Sequence, residues 1–117
     1  MHYHCGPEKI STYKRTAKDS KAASSGRLQA LEALIKSDAI SQSIDSLRLY
    51  GNLAIELAIK EKNKDVQSAG LQMLGMAFAA EEDVDKADSC YKLSANLLTS
   101  DSDPQYIAGA LINRGVL

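Results

Sequence analysis

The sequence predicts an all-α protein made of antiparallel helix-turn-helix units, and three observations carry that prediction. Between Leu71 and Leu98 the chain reads L-x-x-L-G-x-x-F, with Ala87 twelve residues after Gly75 and Tyr91 four residues further on. Apolar residues elsewhere recur every three or four positions, while the alternating Val, Ile and Thr runs that mark strands are absent. At an offset of about forty residues the chain also matches itself: Leu31, Leu71 and Leu111 fall in register, as do Leu34 with Leu74 and Gly75 with Gly115. One Phe and no Trp in 117 residues suit thin layers of packed helices better than an aromatic-rich sandwich.

Taken in order, residues 1–26 read as a flexible, mildly basic tail, with Gly6-Pro7, scattered Lys9, Lys14, Arg15, Lys18 and Lys21, and a small polar run from Ser20 to Ser25. A helical domain is expected over 27–117. Leu28, Leu31, Leu34 and Ile35 predict a helix over 27–36, which Ser37-Asp38 interrupts. Ile40, Ile44, Leu47, Leu53 and Leu57 predict a longer one over 39–62, completing a divergent hairpin. The clear unit, 66–99, holds helices over 66–80 and 84–99. Glu81-Glu82-Asp83 breaks the pattern between them, and Asp83 or Asp85 is placed to cap the second. A further helix starts near Gln105, where Ser102-Asp103 supplies a cap and Pro104 suits the first turn, giving a half unit over 105–117.

Two short antiparallel helices approach closely only where a small side chain meets bulky neighbours. Gly75 and Ala87 are the small residues of the clear unit. Leu71, Leu74 and Phe78 share one face of its first helix, and Tyr91 and Leu98 share the facing stripe of the second. These residues resemble the tetratricopeptide repeat: Leu71, Leu74, Gly75, Phe78, Ala87 and Tyr91 match its packing signature. Ser94 departs from it, standing where the family usually has Ala, and Pro104 falls later than the family's terminal proline. Ile55-Glu56-Leu57-Ala58, Asn63-Lys64-Asp65 and Leu74-Gly75 look like the long variant of about forty residues found in polarity and receptor-clustering adaptors. The upstream copy is worn, with Ile35 at the glycine position, Leu47 at the alanine and Gly51 at the second aromatic. The resemblance implies a short α-α superhelix, a solenoid whose groove is lined by the first helix of each hairpin.

Composition excludes several classes of function. Fourteen Lys and Arg against fifteen Asp and Glu leave a net charge of −1, which offers no basic footprint for nucleic acid. No apolar run approaches the roughly 20 residues that span a bilayer, and no apolar signal core follows Met1, so a cytoplasmic setting is expected. No His falls in the helical part, which removes the commonest general base, and no enzyme is expected. The carboxylates at Glu81, Glu82, Asp83, Asp85 and Asp88 crowd one turn and read as a solvated surface. Gly70 and Gly75 lie within a helical period and mark close packing, not a phosphate loop. Cys5 and Cys90 are too few for a disulfide framework. His2-Tyr3-His4-Cys5 offers two imidazoles and a thiolate without a fourth ligand, so neither a metal nor a cofactor is expected.

Function is then expected on the groove. Its candidate residues are Ala69, Gln72, Met73, Met76 and Ala80 in the clear unit, and Gly109, Ile112, Asn113 and Val116 in the next. The resemblance assigns Asn113 to backbone contact with a bound peptide. It also implies no clamp for a carboxylate terminus, because Gln72, Met73 and Met76 replace what that clamp needs. The leading expectation is a noncatalytic scaffold or adaptor that binds a protein or peptide partner. The alternatives are a structural subunit docking through its open repeat end and tail, and a peptide-sensing regulator. The half unit at 105–117 leaves a helix without its hairpin partner. Three outcomes would cover it: a longer array, end-to-end pairing of two copies, or a last helix that caps itself.

Overall fold

The computed structural model describes residues 6–37 and 39–113. These form six helices and no strand: α1 (Pro7–Lys18), α2 (Ser24–Lys36), α3 (Ile44–Glu61), α4 (Lys64–Ala80), α5 (Val84–Leu97) and α6 (Pro104–Asn113). Local chemistry sets where they begin. Ser43, Asn63 and Asp83 each accept the backbone N–H three residues on, from Ser46, Val66 and Lys86, and Asp103 accepts that of Gln105. These four caps stand twenty residues apart, and Ala23, the residue before α2, lies one step earlier in the same register. Both tight turns that follow α3 and α4 are built alike. Lys62 and Glu82 adopt left-handed backbone, φ 56° and 64°. The next N–H then reaches back five residues, Asn63 to the Ala58 carbonyl at 2.8 Å and Asp83 to that of Phe78 at 2.9 Å.

Each helix from α1 to α5 packs on the next, α3 with α4 and α4 with α5 most extensively, and α6 lies on both α4 and α5. The core runs through Leu31 and Leu34 of α2, Leu47, Tyr50 and Leu57 of α3, and Val66, Met73 and Ala77 of α4, with Ile40 entering from the α2–α3 link. Burying each of the larger side chains stabilises the fold by roughly 1.5–3 kcal/mol. α3 and α4 cross backbone on backbone: a Cβ on Gly70 would lie 2.8 Å from the Gly51 carbonyl oxygen, and one on Gly51 3.2 Å from that of Gly70. On the other flank of α4, a Cβ on Gly75 would run into the Tyr91 ring. The small residues therefore set both helix approaches.

Several boundaries differ from the expectation. Residues 7–18, read as part of a flexible tail, form α1, because Ile10, Tyr13 and Ala17 make an apolar stripe at helical spacing that joins the core, Ala17 completely buried. Pro7 opens the helix at a position where its missing N–H costs nothing, and the Arg27 side chain donates to the Ala17 carbonyl at its end. The polar run Ser20–Ser25 that suggested disorder is only the α1–α2 link and the first turn of α2. The helix expected over 39–62 begins at Ile44, since Ser43 caps it and the residues before it form a turn. α4 gains two residues at its start through the Asn63 cap, and α5 ends at Leu97. The His2-Tyr3-His4-Cys5 segment and residues 114–117 lie outside the described residues. Among those described, no helix is long and apolar enough to cross a membrane.

Candidate functional site

Alternate helices meet around one cleft of about 380 Å³. α4 supplies its floor through Ala69, Gln72, Met73 and Met76, and α6 supplies one wall through Gln105, Tyr106, Ala108 and Gly109. Ile35 of α2 and Ile40 and Ser41 of the α2–α3 link close the other side. Ala69 and Met73 are buried and Met76 is half-buried, so the floor is fixed by the core beneath it while Met76 reaches the opening.

Gln72 is the buried polar side chain of this floor, 8% exposed. Its Nε2 donates to the Ser68 hydroxyl and to the Tyr106 backbone carbonyl, both at 3.4 Å, and a Cβ on Gly109 would stand 2.8 Å from its Oε1. Gln72 thus ties α4 to α6, and Gly109 lets α6 come that close. Ser68 is in turn locked to α5. Its hydroxyl donates to the Ser94 carbonyl at 3.0 Å, Ser94 donates back to the Ser68 carbonyl at 2.9 Å, and the two hydroxyl oxygens lie 2.6 Å apart. The chain Ser94, Ser68, Gln72, Tyr106 crosses three helices through buried, directional hydrogen bonds, which favour one register. At the mouth, Asp65 accepts the Asp103 N–H at 3.0 Å and Lys36 pairs with the Asp103 carboxylate at 3.5 Å, fastening the start of α6 to α4 and to the end of α2.

Of the residues expected in the groove, Ala69, Gln72, Met73, Met76 and Gly109 line this cleft. Ala80 does not: it is the last residue of α4 and is exposed. The side chains of Ile112 and Asn113, and all of Val116, lie outside the described residues. The packing positions are split between two neighbours of α4. Gly75 faces Tyr91 on α5, whereas Leu74 leans on Gly51 of α3. Phe78 lies between cations from both sides, with Arg48 of α3 at 5.6 Å and Lys86 of α5 at 5.7 Å from its ring centre. Arg48 also pairs with Glu81, and Lys86 with Asp83 at 3.6 Å, so the acidic turn is partly neutralised by its own neighbours. Ala87 is buried, and Leu71 and Tyr91 are half-buried.

Ile35, Ile40, Ser41, Gln105, Tyr106 and Ala108 were not foreseen as lining residues. Ile35 stands forty residues before Gly75, a position the repeat register assigns to packing between paired helices, and Ile40, expected inside the helix over 39–62, falls instead in the α2–α3 link. Away from the cleft, burial pushes the Cys90 thiol above its ordinary value, and burial followed by the neighbouring thiol does the same to the Tyr91 phenol. Neither group is poised as a nucleophile. Comparison with protein-family models, curated proteins and solved structures finds no match to this chain.

Proposed function

We propose that the protein is a noncatalytic interaction scaffold, similar to a short tetratricopeptide-type α-α superhelix, which presents the α2–α4–α6 cleft to a peptide or helix of a partner protein. The observation that carries this reading is the cleft itself, lined by α4, α6 and the end of α2, which are the first helices of their hairpins if α2–α3 and α4–α5 are taken as the paired units. The twenty-residue spacing of the helix caps supports it, since two helices per unit give a repeat of about forty residues, the period found by matching the chain to itself. The lining supports binding over chemistry: among the described residues it holds amides, a hydroxyl, a phenol and apolar groups, and no side chain of ordinary general-base strength. Met73 and Met76 add adaptable apolar contact of the kind that interaction surfaces use.

The test compares partners. The full chain is used as bait in wild-type form, as Met76→Glu in the cleft, and as Leu93→Glu on the exposed face of α5. A partner held by the cleft is lost with the first variant and kept with the second. A partner kept by Met76→Glu and lost by Leu93→Glu would refute the reading.

A further inference from the structure

We infer that the outer face of α1 docks on the start of α5 in a second copy of this chain, through a contact of unlike charge that lies away from the cleft and does not depend on it. The two faces are opposite in sign. From Pro7 to Lys21 five Lys and Arg stand against Glu8 and Asp19, whereas from Glu81 to Asp103 seven Asp and Glu stand against Lys86 and Lys92. The net charge of −1 is thus the balance of two regions that are each strongly charged.

The basic face is uncommitted. Ile10, Tyr13 and Ala17 turn one side of α1 to the core, while Ser11, Lys14, Arg15 and Lys18, three and four residues apart, line an open groove of about 450 Å³ beside it. Arg15 and Lys18 are exposed, and among the described residues none of the three cations pairs with a carboxylate. On the acidic side Glu81, Asp83 and Asp88 have cations of their own in Arg48, Lys86 and Lys92, which leaves Glu82 and Asp85 exposed and in no ion pair. Val84 between them is 71% exposed. The methylene stems of Lys14 and Lys18 suit it, since they cover apolar surface while their ammonium groups stay wet. Within one copy the two faces do not meet: α1 packs on α2, α5 packs on α4 and α6, and no ion pair among the described residues joins α1 to α5. A second copy supplies the complement of each. Every copy then offers one face of each sign, so the contact propagates unless a ring or a reciprocal pair closes it. Exposed ion pairs are individually weak and screened by salt, so the association is modest and fades as ionic strength rises.

Sedimentation equilibrium of the full chain, from about 10 μM to about 1 mM, reads the result. At roughly 0.05 M salt the mean mass is expected to rise with concentration, and at roughly 0.5 M salt to stay near that of one chain. Arg15→Glu/Lys18→Glu and Glu82→Lys/Asp85→Lys reverse one face each. Either variant alone should associate at least about tenfold more weakly than wild type, because its two faces then carry like charge. An equal mixture of the two should recover most of the association, since the acidic face of the first meets the basic face of the second. All four side chains are exposed, and Lys62 shows that lysine tolerates the left-handed backbone of the Glu82 position. If thermal melting shows a reversal to be unfolded, Arg15→Ser/Lys18→Ser or Glu82→Gln/Asp85→Asn takes its place and is read by the weakening alone. A mass that stays at one chain at low salt, an association that either reversal leaves intact, or a mixture of folded variants that fails to recover would overturn the inference. Dependence on the basic face alone would assign α1 to an acidic partner other than a second copy. None of these substitutions touches the cleft lining, so the cleft reading stands or falls separately.

Discussion

α4 is gripped on two sides, and the two grips are chemically unlike. Against α3 the contact is dry: Gly51 and Gly70 bring backbone to backbone, and Ala54, Leu57, Ala58 and Val66 fill the surroundings. Against α5 the contact is partly polar, with the reciprocal Ser68–Ser94 hydrogen bonds at its centre and Gly75 under the Tyr91 ring. The dry crossing depends on shape alone and tolerates little intrusion. The polar crossing depends on direction, and through Gln72 it passes that direction to α6 and hence to the cleft wall. One helix therefore packs closely on both neighbours, and the polar side also sets where the cleft wall stands.

Variants should separate the two grips. The largest loss is expected from Leu57→Ala, which opens a cavity in the dry side where Leu57 is 1% exposed and should cost about 2–5 kcal/mol in urea unfolding. Gly70→Ala comes next, at about 1–3 kcal/mol, because its new methyl meets the Gly51 carbonyl of a neighbouring helix and neither backbone can yield alone. Gly75→Ala meets the Tyr91 ring, which is half-exposed and free to swing, so it should cost less than Gly70→Ala despite the shorter approach. The reverse order would show that the α5 side is the stiffer one.

Ser94→Ala removes one hydroxyl of the reciprocal pair and should cost about 1 kcal/mol, while hydrogen exchange in α6 rises because Ser68 is less firmly held for Gln72. Unchanged exchange in α6 would break the proposed relay. The smallest effect is alkaline. Burial favours the protonated thiol of Cys90 and phenol of Tyr91 in the folded chain, so the unfolded chain loses these protons first. Stability should be unaffected by them below the ordinary values of 9.0 and 10.0 and decline as pH rises past those values. Cys90→Ala should flatten the earlier part of that decline.

Much of this architecture is legible in the sequence because it depends on local signals. Asp83 and Asp103 announce helix starts, Gly70 and Gly75 announce close packing, and the forty-residue offset announces a repeated layout, whereas the Asn63 cap was not read from the sequence. α1 was hidden because its apolar stripe is short, three residues among many lysines, and only the contact with α2 makes it worth ordering. The cleft was half legible. Gln72, Met73 and Met76 follow from position on α4, whereas Ile40 and Gln105 depend on how the links aim neighbouring helices, which side-chain periodicity does not encode. Ser94 reads as a departure from the tetratricopeptide pattern, and its purpose emerges only when Ser68 is seen opposite, because no spacing along one helix reveals a hydrogen bond to another.

The most direct test of the central claim, that the partner surface is the α2–α4–α6 cleft, is a methyl-resolved NMR titration of the full-length chain with a partner captured by it. The account predicts shift changes concentrated at Ile35, Ile40, Met73 and Met76. Changes concentrated instead at Ile59, Val84 and Leu93, the most exposed large apolar side chains among the described residues, would contradict it.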